Sequence, residues 1–135
     1  MSSNSICPLE MKASHSMVVV CADDIFFLSK IRNTAKALQL EVRAVTGPAD
    51  EAAGKIADLQ PRLILLDINS ARTNAVELIH TLKSSPSTSG VSITGFVSHV
   101  DTVLREKAME AGCDEVMARS VFADQLPQIL SKAQS

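Results

Sequence analysis

Acidic, hydroxyl and basic side chains follow the short apolar runs of this sequence. Asp23 and Asp24 follow the first run, Asp67 the third, Ser98 the fourth and Arg119 the fifth. Carboxylates gathered at one edge would repel one another unless a hard cation lay among them, and such oxygen ligands suit Mg²⁺. An aspartate can attack phosphorus when a metal ion and a cationic side chain absorb the charge on the phosphoryl oxygens. These residue types therefore indicate phosphoryl chemistry, with Arg119 as the cation and Ser98 as a hydroxyl donor.

The apolar runs alternate with stretches of helical period, which is typical of a parallel sheet wrapped by helices. Right-handed crossovers give such a chain a doubly wound, five-stranded α/β fold with helices on both faces of the sheet. Sheets of this kind bind their ligands at the carboxyl ends of the strands. The predicted strands are Met17 to Ala22, Glu41 to Val45, Leu63 to Leu66, Val91 to Val97 and Glu115 to Ala118.

Apolar residues that share one face at helical spacing predict a helix after each strand. Gly54 weakens the second helix by roughly 1 kcal/mol relative to alanine, and Gly112 is expected to end the fourth in a left-handed conformation. The last helix, Val121 to Ala133, should become regular near Asp124, because Pro127 is tolerated only in a first turn. The inward residues, helix by helix, are Leu28, Ile31, Ala35 and Leu38; Ala52, Ile56 and Leu59; Ala75, Ile79 and Leu82; Val100, Leu104, Ala108 and Ala111; and Phe122, Leu126, Ile129 and Leu130.

The composition limits the class of protein. The chain has 135 residues, 46% of them hydrophobic, and a net charge of −2 without clusters of like sign. This length and charge predict one domain with no nucleic-acid or anionic-membrane partner. The sequence contains no apolar run of the roughly 18 residues that a membrane span needs. Residues 1–16 are expected to be a disordered tail and 17–135 the domain. Three cysteines at spacings unlike any zinc signature indicate free thiols in a reducing cytoplasm.

Four motifs in order resemble the receiver domains of bacterial two-component response regulators. VVVCADD at 18–24 resembles the first strand and acidic pair of that family, and LILLDIN at 63–69 resembles its third strand and phosphorylated aspartate. GFVSH at 95–99 resembles the fourth strand ending in a serine or threonine switch residue, and AGCD at 111–114 the turn before the fifth strand. The resemblance covers the chain from Met17 to about Ala133 and implies the receiver topology of the flavodoxin-like folds.

The resemblance also implies roles for single residues. Asp67 would accept a phosphoryl group, Ser98 would bond to it, and Mg²⁺ would be held by Asp23, Asp24, Asp67 and Asn69. The function implied is a stand-alone receiver that takes the phosphoryl group from a histidine kinase or phosphotransfer protein and then changes its affinity for a downstream protein. Because no separate substrate is turned over, we do not expect an enzyme.

The downstream partner is expected on a face of the domain that receivers use for docking. That face consists of the fourth helix, the fifth strand and the last helix. On the predicted helical phase it would include Lys107, Glu110, Glu115, Met117 and Gln125.

The sequence departs from the receiver pattern at several motif positions. Arg119-Ser120 replaces the usual Lys-Pro, and Asn74-Ala75 replaces Asp-Gly. Arginine keeps the charge of lysine but presents a planar fork on a longer stem. The competing hypothesis is therefore a pseudo-receiver, an interaction module that is not phosphorylated. A small hydrolase or cofactor-binding domain is a third possibility, although the chain has neither a glycine-rich phosphate loop nor a nucleophile elbow.

Two further substitutions bear on switching. Val116 stands where many receivers have a tyrosine or phenylalanine that swings inward on activation, and Ala71 replaces the proline of the phosphoacceptor loop. If this domain switches, it must do so without an aromatic swing at this position.

Each candidate residue also has a structural interpretation. Asp67 could simply begin a loop, one of Asp23 and Asp24 could cap a helix, and Ser98 could be a cap or a loop hydroxyl. Arg119 could form a permanent ion pair with Asp67 that needs no phosphorylation. The sequence leaves these alternatives open.

Overall fold

Fully buried strands form the centre of a parallel sheet. β1 (Met17–Cys21) and β3 (Leu63–Asp67) are buried along their whole length, as expected for apolar strands covered on both faces. β4 (Ser92–Val97) is exposed only at its first residue, whereas β2 (Glu41–Ala44) and β5 (Glu115–Ala118) lie at the edges. The order β2-β1-β3-β4-β5, with every pairing parallel, confirms the predicted doubly wound α/β fold.

This computed structural model describes residues 17–98 and 102–134. The predicted tail, residues 1–16, and the residues His99 and Val100 lie outside that part of the chain. No helix within the described residues is long and apolar enough to cross a bilayer. The helices are α1 (Ile25–Ala37), α2 (Ala49–Leu59), α3 (Ala75–Ser84), α4 (Thr102–Ala111), α5 (Arg119–Asp124) and α6 (Leu126–Ser131).

The core is divided by the sheet into two clusters, because neighbouring strand residues point to opposite faces. Val19, Ile64 and Leu66 pack with the buried sides of α2, α3 and α4. Val18 and Leu65 pack on the other face with α1, α5 and α6. The helices therefore cover both faces of the sheet, and the strand ends between them are left to form a site.

The end of the chain differs from the predicted single helix that becomes regular near Asp124. Helical structure begins earlier, at Arg119, and divides into α5 and α6 around Gln125. Pro127 lies in the first turn of α6, as expected for a residue without an N–H to donate. The hydrogen bonds from Gln125 N to Val121 O and from Ile129 N to Gln125 O run across the division. The helix is interrupted because Pro127 has no N–H to donate to the carbonyl of Ala123.

The strand bounds differ from the predicted ones by single residues. The first and second strands end one residue earlier than predicted, the third one residue later, and the fourth begins one residue later. Gly112 follows α4 with a φ of +117°, the positive φ that was predicted. Cys21 and Cys113 are free and buried, and burial raises the pKa of their thiols to about 12 and about 11. Both thiols are therefore protonated at neutral pH and behave as small apolar side chains.

Candidate functional site

The predicted site residues lie at one edge of the sheet, where the carboxyl ends of the strands meet. Asp67 is the last residue of β3 and pairs with Phe96 near the end of β4. Asp23 and Asp24 connect β1 to α1, and Arg119 follows β5 directly as the first residue of α5. The fold thus brings acidic and basic groups from three connections to one place, as predicted from the positions of the strands.

Asp67 is a nearly buried carboxyl group, with 6% of its surface exposed. Its Oδ1 accepts a hydrogen bond from the backbone N–H of Asn69 at 2.9 Å. Burial raises the pKa of Asp67 above its ordinary value, against the lowering effects of this hydrogen bond and of the Arg119 charge, and the negative charges of Asp23 and Asp24 raise it further. The carboxylate is therefore in an environment that favours a proton or an added cation.

Asp24 caps α1 and also binds Arg119. Its Oδ1 accepts from the N–H groups of Phe26 and Phe27, at 2.9 and 3.2 Å, so the predicted helix cap is confirmed for this member of the acidic pair. Its Oδ2 accepts from Arg119 Nη2 at 2.5 Å. The Phe27 hydrogen bond, and next the Arg119 hydrogen bond, lower the pKa of Asp24 below its ordinary value.

Asp23 is bound by the loop that follows Asp67. Ser70 Oγ lies 3.1 Å from both oxygens of Asp23, and the N–H of Ala71 donates to Oδ2 at 3.0 Å. A proline at position 71, usual in the family that this chain resembles, has no N–H and could not make the second bond. Sequence reasoning did not identify Ser70, because its role depends on the β3–α3 loop folding back over the end of β1.

Asn69 links the third and fourth strand ends. Its side-chain Oδ1 accepts from the backbone N–H of Ser98 at 2.7 Å. The predicted metal ligand therefore has its side-chain oxygen engaged, which leaves its backbone carbonyl as the group that it could offer to a cation. Ser98 itself is exposed and lies directly after β4. The cap interpretation of Ser98 stays a prediction, since residues 99–101 lie outside the described part.

Arg119 rests on an aromatic cluster. Its guanidinium carbon lies 4.3 Å from the ring centroid of Phe27 and 6.0 Å from that of Phe96. The rings of Phe27, Phe96 and Phe122 lie 4.6 to 5.6 Å apart. The hypothesis of an ion pair between Arg119 and Asp67 is wrong, because the guanidinium pairs with Asp24 instead. A cation–π contact and a near carboxylate together explain this preference.

The side chains at this edge of the sheet are of the type that binds a hard divalent cation, but they are not arranged as a set of metal ligands in this structure. Asp23, Asp24 and Asp67 supply carboxylate oxygens, and burial together with the smaller effect of the Asp23 and Asp24 charges raises the pKa of Asp67. Within the described residues, however, no three His, Cys, Asp or Glu side chains are gathered in the manner of metal ligands. The oxygens of the acidic pair are held by protein donors instead.

The predicted docking residues lie on α4, on β5 and at the junction of α5 and α6. Lys107 and Glu110 line an open groove between α3 and α4 with Glu77 and His80. Glu115, on β5, pairs with Lys132 beyond α6. Leu104, Ala108 and Ala111 pack against the core, as the predicted helical phase of α4 requires, and partner docking on this face stays a prediction.

Comparison with known proteins identifies the fold. No protein-family model and no curated protein sequence matches the chain. Among solved structures, a response regulator from Hahella chejuensis is 19% identical, with a TM-score of 0.78 over 89% of this chain and 96% of that one. The receiver domain of a sensor histidine kinase from Pseudomonas aeruginosa, with magnesium coordinated in its active-site cleft, is 16% identical, with a TM-score of 0.75 over 89% and 98% of the two chains.

A third solved structure is a phosphorylated cyanobacterial phytochrome response regulator. It is 19% identical, with a TM-score of 0.71 over 86% of this chain and 89% of that one. Each match spans most of the length of both proteins. The chain has the fold of response-regulator receiver domains.

Proposed function

We propose that this protein is a receiver in phosphorelay signal transduction that accepts a phosphoryl group on Asp67. The observation that supports this most directly is the buried carboxylate at the end of β3, with a pKa raised by burial and by two neighbouring carboxylates. Such a group is costly for the fold alone. A function in binding a cation and a phosphoryl group accounts for its retention at the strand end where receivers carry their phosphoacceptor.

The proposed reaction transfers a phosphoryl group from a phosphohistidine to Asp67. A carboxylate oxygen of Asp67 attacks phosphorus, the bond from phosphorus to the imidazole nitrogen breaks, and that nitrogen keeps the electron pair and takes up a proton. The product is an acyl phosphate on Asp67. Ser98, exposed beside the site, would donate a hydrogen bond to a phosphoryl oxygen, and Arg119 would supply positive charge near it.

A divalent cation, Mg²⁺ in the simplest case, would neutralise the charge that develops on the phosphoryl oxygens. Asp23, Asp24 and Asp67 would hold it with carboxylate oxygens, and Asn69 with its backbone carbonyl. The donor set supports this assignment because all of these are the hard oxygen ligands that Mg²⁺ prefers. The solved receiver from P. aeruginosa has magnesium in its active-site cleft.

The partners follow from this role. The phosphoryl donor would be a histidine kinase or phosphotransfer protein in the cytoplasm, and the output would be altered binding of a downstream protein on the face that includes α4, β5 and α5–α6. We do not propose an enzyme, because the only group transformed is the side chain of Asp67 itself. Neither nucleic acid nor membrane is proposed as a partner.

Beryllofluoride binding tests the proposal, because this complex imitates a phosphoryl group on a carboxylate. The measurement is a titration with beryllofluoride and Mg²⁺, followed by backbone amide shifts in the wild type, in Asp67→Asn and in Asp58→Asn. Asp58 is an exposed residue of α2 and serves as the matched control. We expect saturable, Mg²⁺-dependent shifts at Asp24, Asp67 and Ser98 in the wild type and in Asp58→Asn, and their loss in Asp67→Asn.

The opposite outcome would favour the pseudo-receiver. A wild-type spectrum that is well dispersed but does not respond to beryllofluoride would mean that the fold is intact and the phosphoacceptor inactive. Retention of the shifts in Asp67→Asn would place the binding elsewhere and exclude Asp67 as the acceptor.

A further inference from the structure

The Arg119 side chain donates a hydrogen bond to Oδ2 of Asp24, a carboxylate that the proposed function assigns to a divalent cation. We propose that Arg119 is a built-in counter-ion of the acidic pair, which competes with a divalent cation for Asp24 and must release this carboxylate before the cation is held. The inference rests on the proposed function, because it concerns the same site. It gives Arg119 a role different from binding the phosphoryl group alone.

Both oxygens of Asp24 are in use in this structure. Oδ1 accepts the two N–H groups that begin α1, and Oδ2 accepts Arg119 Nη2. The N–H groups belong to the helix backbone and stay in place as long as α1 begins at Ile25. The contact with Arg119 is the one that can be given up, because it joins two partly exposed side chains, at 29% and 40% of their surface.

The guanidinium of Arg119 is held in this position by its contact with the Phe27 ring. Phe27 is 8% exposed and is fixed by its contacts with Phe96 and Phe122. The planar guanidinium lies over the Phe27 ring, and a flat fork can stack on a ring and bond a carboxylate at once. A lysine ammonium is a compact, strongly hydrated point charge and cannot do both in the same way. Competition for Asp24 is therefore a consequence of having arginine at this position.

The oxygens of Asp23 also accept hydrogen bonds from the protein, so both members of the acidic pair have hydrogen-bond donors without a metal ion. Ser70 Oγ and the N–H of Ala71 bind its oxygens. Asp67 accepts one hydrogen bond, from the N–H of Asn69, and its pKa is raised, mainly by burial. We therefore expect a resting state with low affinity for divalent cations, in which binding is limited by release of Asp24.

The test measures the dissociation constant of Mg²⁺ by isothermal titration calorimetry in four forms of the full chain. These are the wild type, Arg119→Gln, Arg119→Lys and Arg43→Gln. The last removes the same unit of charge from an exposed pair with Glu41 on β2 and is the control for net charge. We expect Arg119→Gln to bind Mg²⁺ at least about tenfold more tightly, since it removes a nearby positive charge and frees an oxygen. Arg119→Lys should also tighten binding, by less, and Arg43→Gln should not change it.

A second measurement on the unaltered protein is independent of whether the variants fold. The Nε–H resonance of the Arg119 side chain should shift as Mg²⁺ saturates the site, because the guanidinium leaves Asp24. No shift at saturating Mg²⁺ would overturn the inference. Wild-type affinity in Arg119→Lys would also overturn it, since charge alone would then explain the effect.

The outcomes separate this inference from the proposed function. Equal Mg²⁺ affinities in the wild type and Arg119→Gln, together with intact beryllofluoride binding, would reject the competing counter-ion and leave Asp67 as phosphoacceptor. Binding of neither Mg²⁺ nor beryllofluoride by any of the four forms would reject both.

Discussion

At the scale of the residue, the carboxylate of Asp67 lowers the stability of the fold at the position where the proposed function needs it. Its carboxyl group is buried, and desolvation raises its pKa above the value that it has in the unfolded chain. The folded state consequently binds a proton more tightly than the unfolded state does. Stability must therefore fall as the pH rises from the ordinary aspartate range through the raised pKa of Asp67, because the charged form is favoured by unfolding.

Replacing Asp67 by asparagine should remove this penalty. In the absence of divalent cations, Asp67→Asn should unfold at a higher urea concentration than the wild type at pH 7, because a neutral amide costs less to bury than a carboxylate. The difference should shrink as the pH is lowered into the range where the Asp67 carboxyl is protonated. Urea unfolding in EDTA between pH 4 and pH 7 measures both effects.

Asp58→Asn is the control for this comparison. Asp58 is exposed on α2, and its substitution should change the unfolding free energy by no more than about 0.5 kcal/mol at any pH in the range. A midpoint for Asp67→Asn below that of the wild type at pH 7 would show that the carboxylate stabilises the fold, contrary to its raised pKa.

At the scale of the element, the sequence pattern predicted those strands and helices whose formation depends on local composition. The strands β1 and β3 could be identified because continuous apolar runs of this length suit a parallel sheet covered on both faces. The division of the last helix could not be predicted in the same way. Periodicity carried on through Phe122, Leu126 and Ile129, all of which are buried, while the division into two helices follows from the missing N–H of Pro127.

The second helix offers a clean test of element stability. Gly54 lies within α2, and a Cβ built there meets nothing within 4 Å. Gly54→Ala should therefore raise the unfolding free energy by about 0.5–1 kcal/mol, since alanine loses less backbone entropy when the helix forms. Urea unfolding at pH 7 monitored by circular dichroism measures the change.

Gly47 provides the matched control, because a Cβ there also meets nothing within 4 Å. It differs in its backbone, with a φ of +116° that L-residues rarely adopt. Gly47→Ala should destabilise the protein although the added methyl group has the same free space. Stabilisation by both substitutions, or by neither, would mean that φ does not decide their sign.

At the scale of the whole molecule, the sequence predicted which residues meet at the carboxyl edge of the sheet, but not which of them bond to one another. The order of the motifs was enough to predict that Asp23, Asp24, Asp67 and Arg119 would converge, because the carboxyl ends of parallel strands share one edge. Which carboxylate Arg119 selects depends on the position of the Phe27 ring, which comes from α1. Such a choice among neighbours is made by the packed fold and cannot be seen in the spacing of residues along the chain.

The same convergence predicts that a ligand at the edge stabilises the entire domain. The site joins the ends of β1, β3 and β5, and the sheet separates two core clusters that both include residues of these strands. A ligand that binds only the folded protein raises the unfolding free energy by about 2.7 kcal/mol at a hundredfold excess over its Kd. We expect this increase for beryllofluoride with Mg²⁺, measured by urea unfolding of the wild type at pH 7. Asp67→Asn should show none of it, and an equal gain in that variant would mean that the ligand stabilises the domain from a site that does not include Asp67.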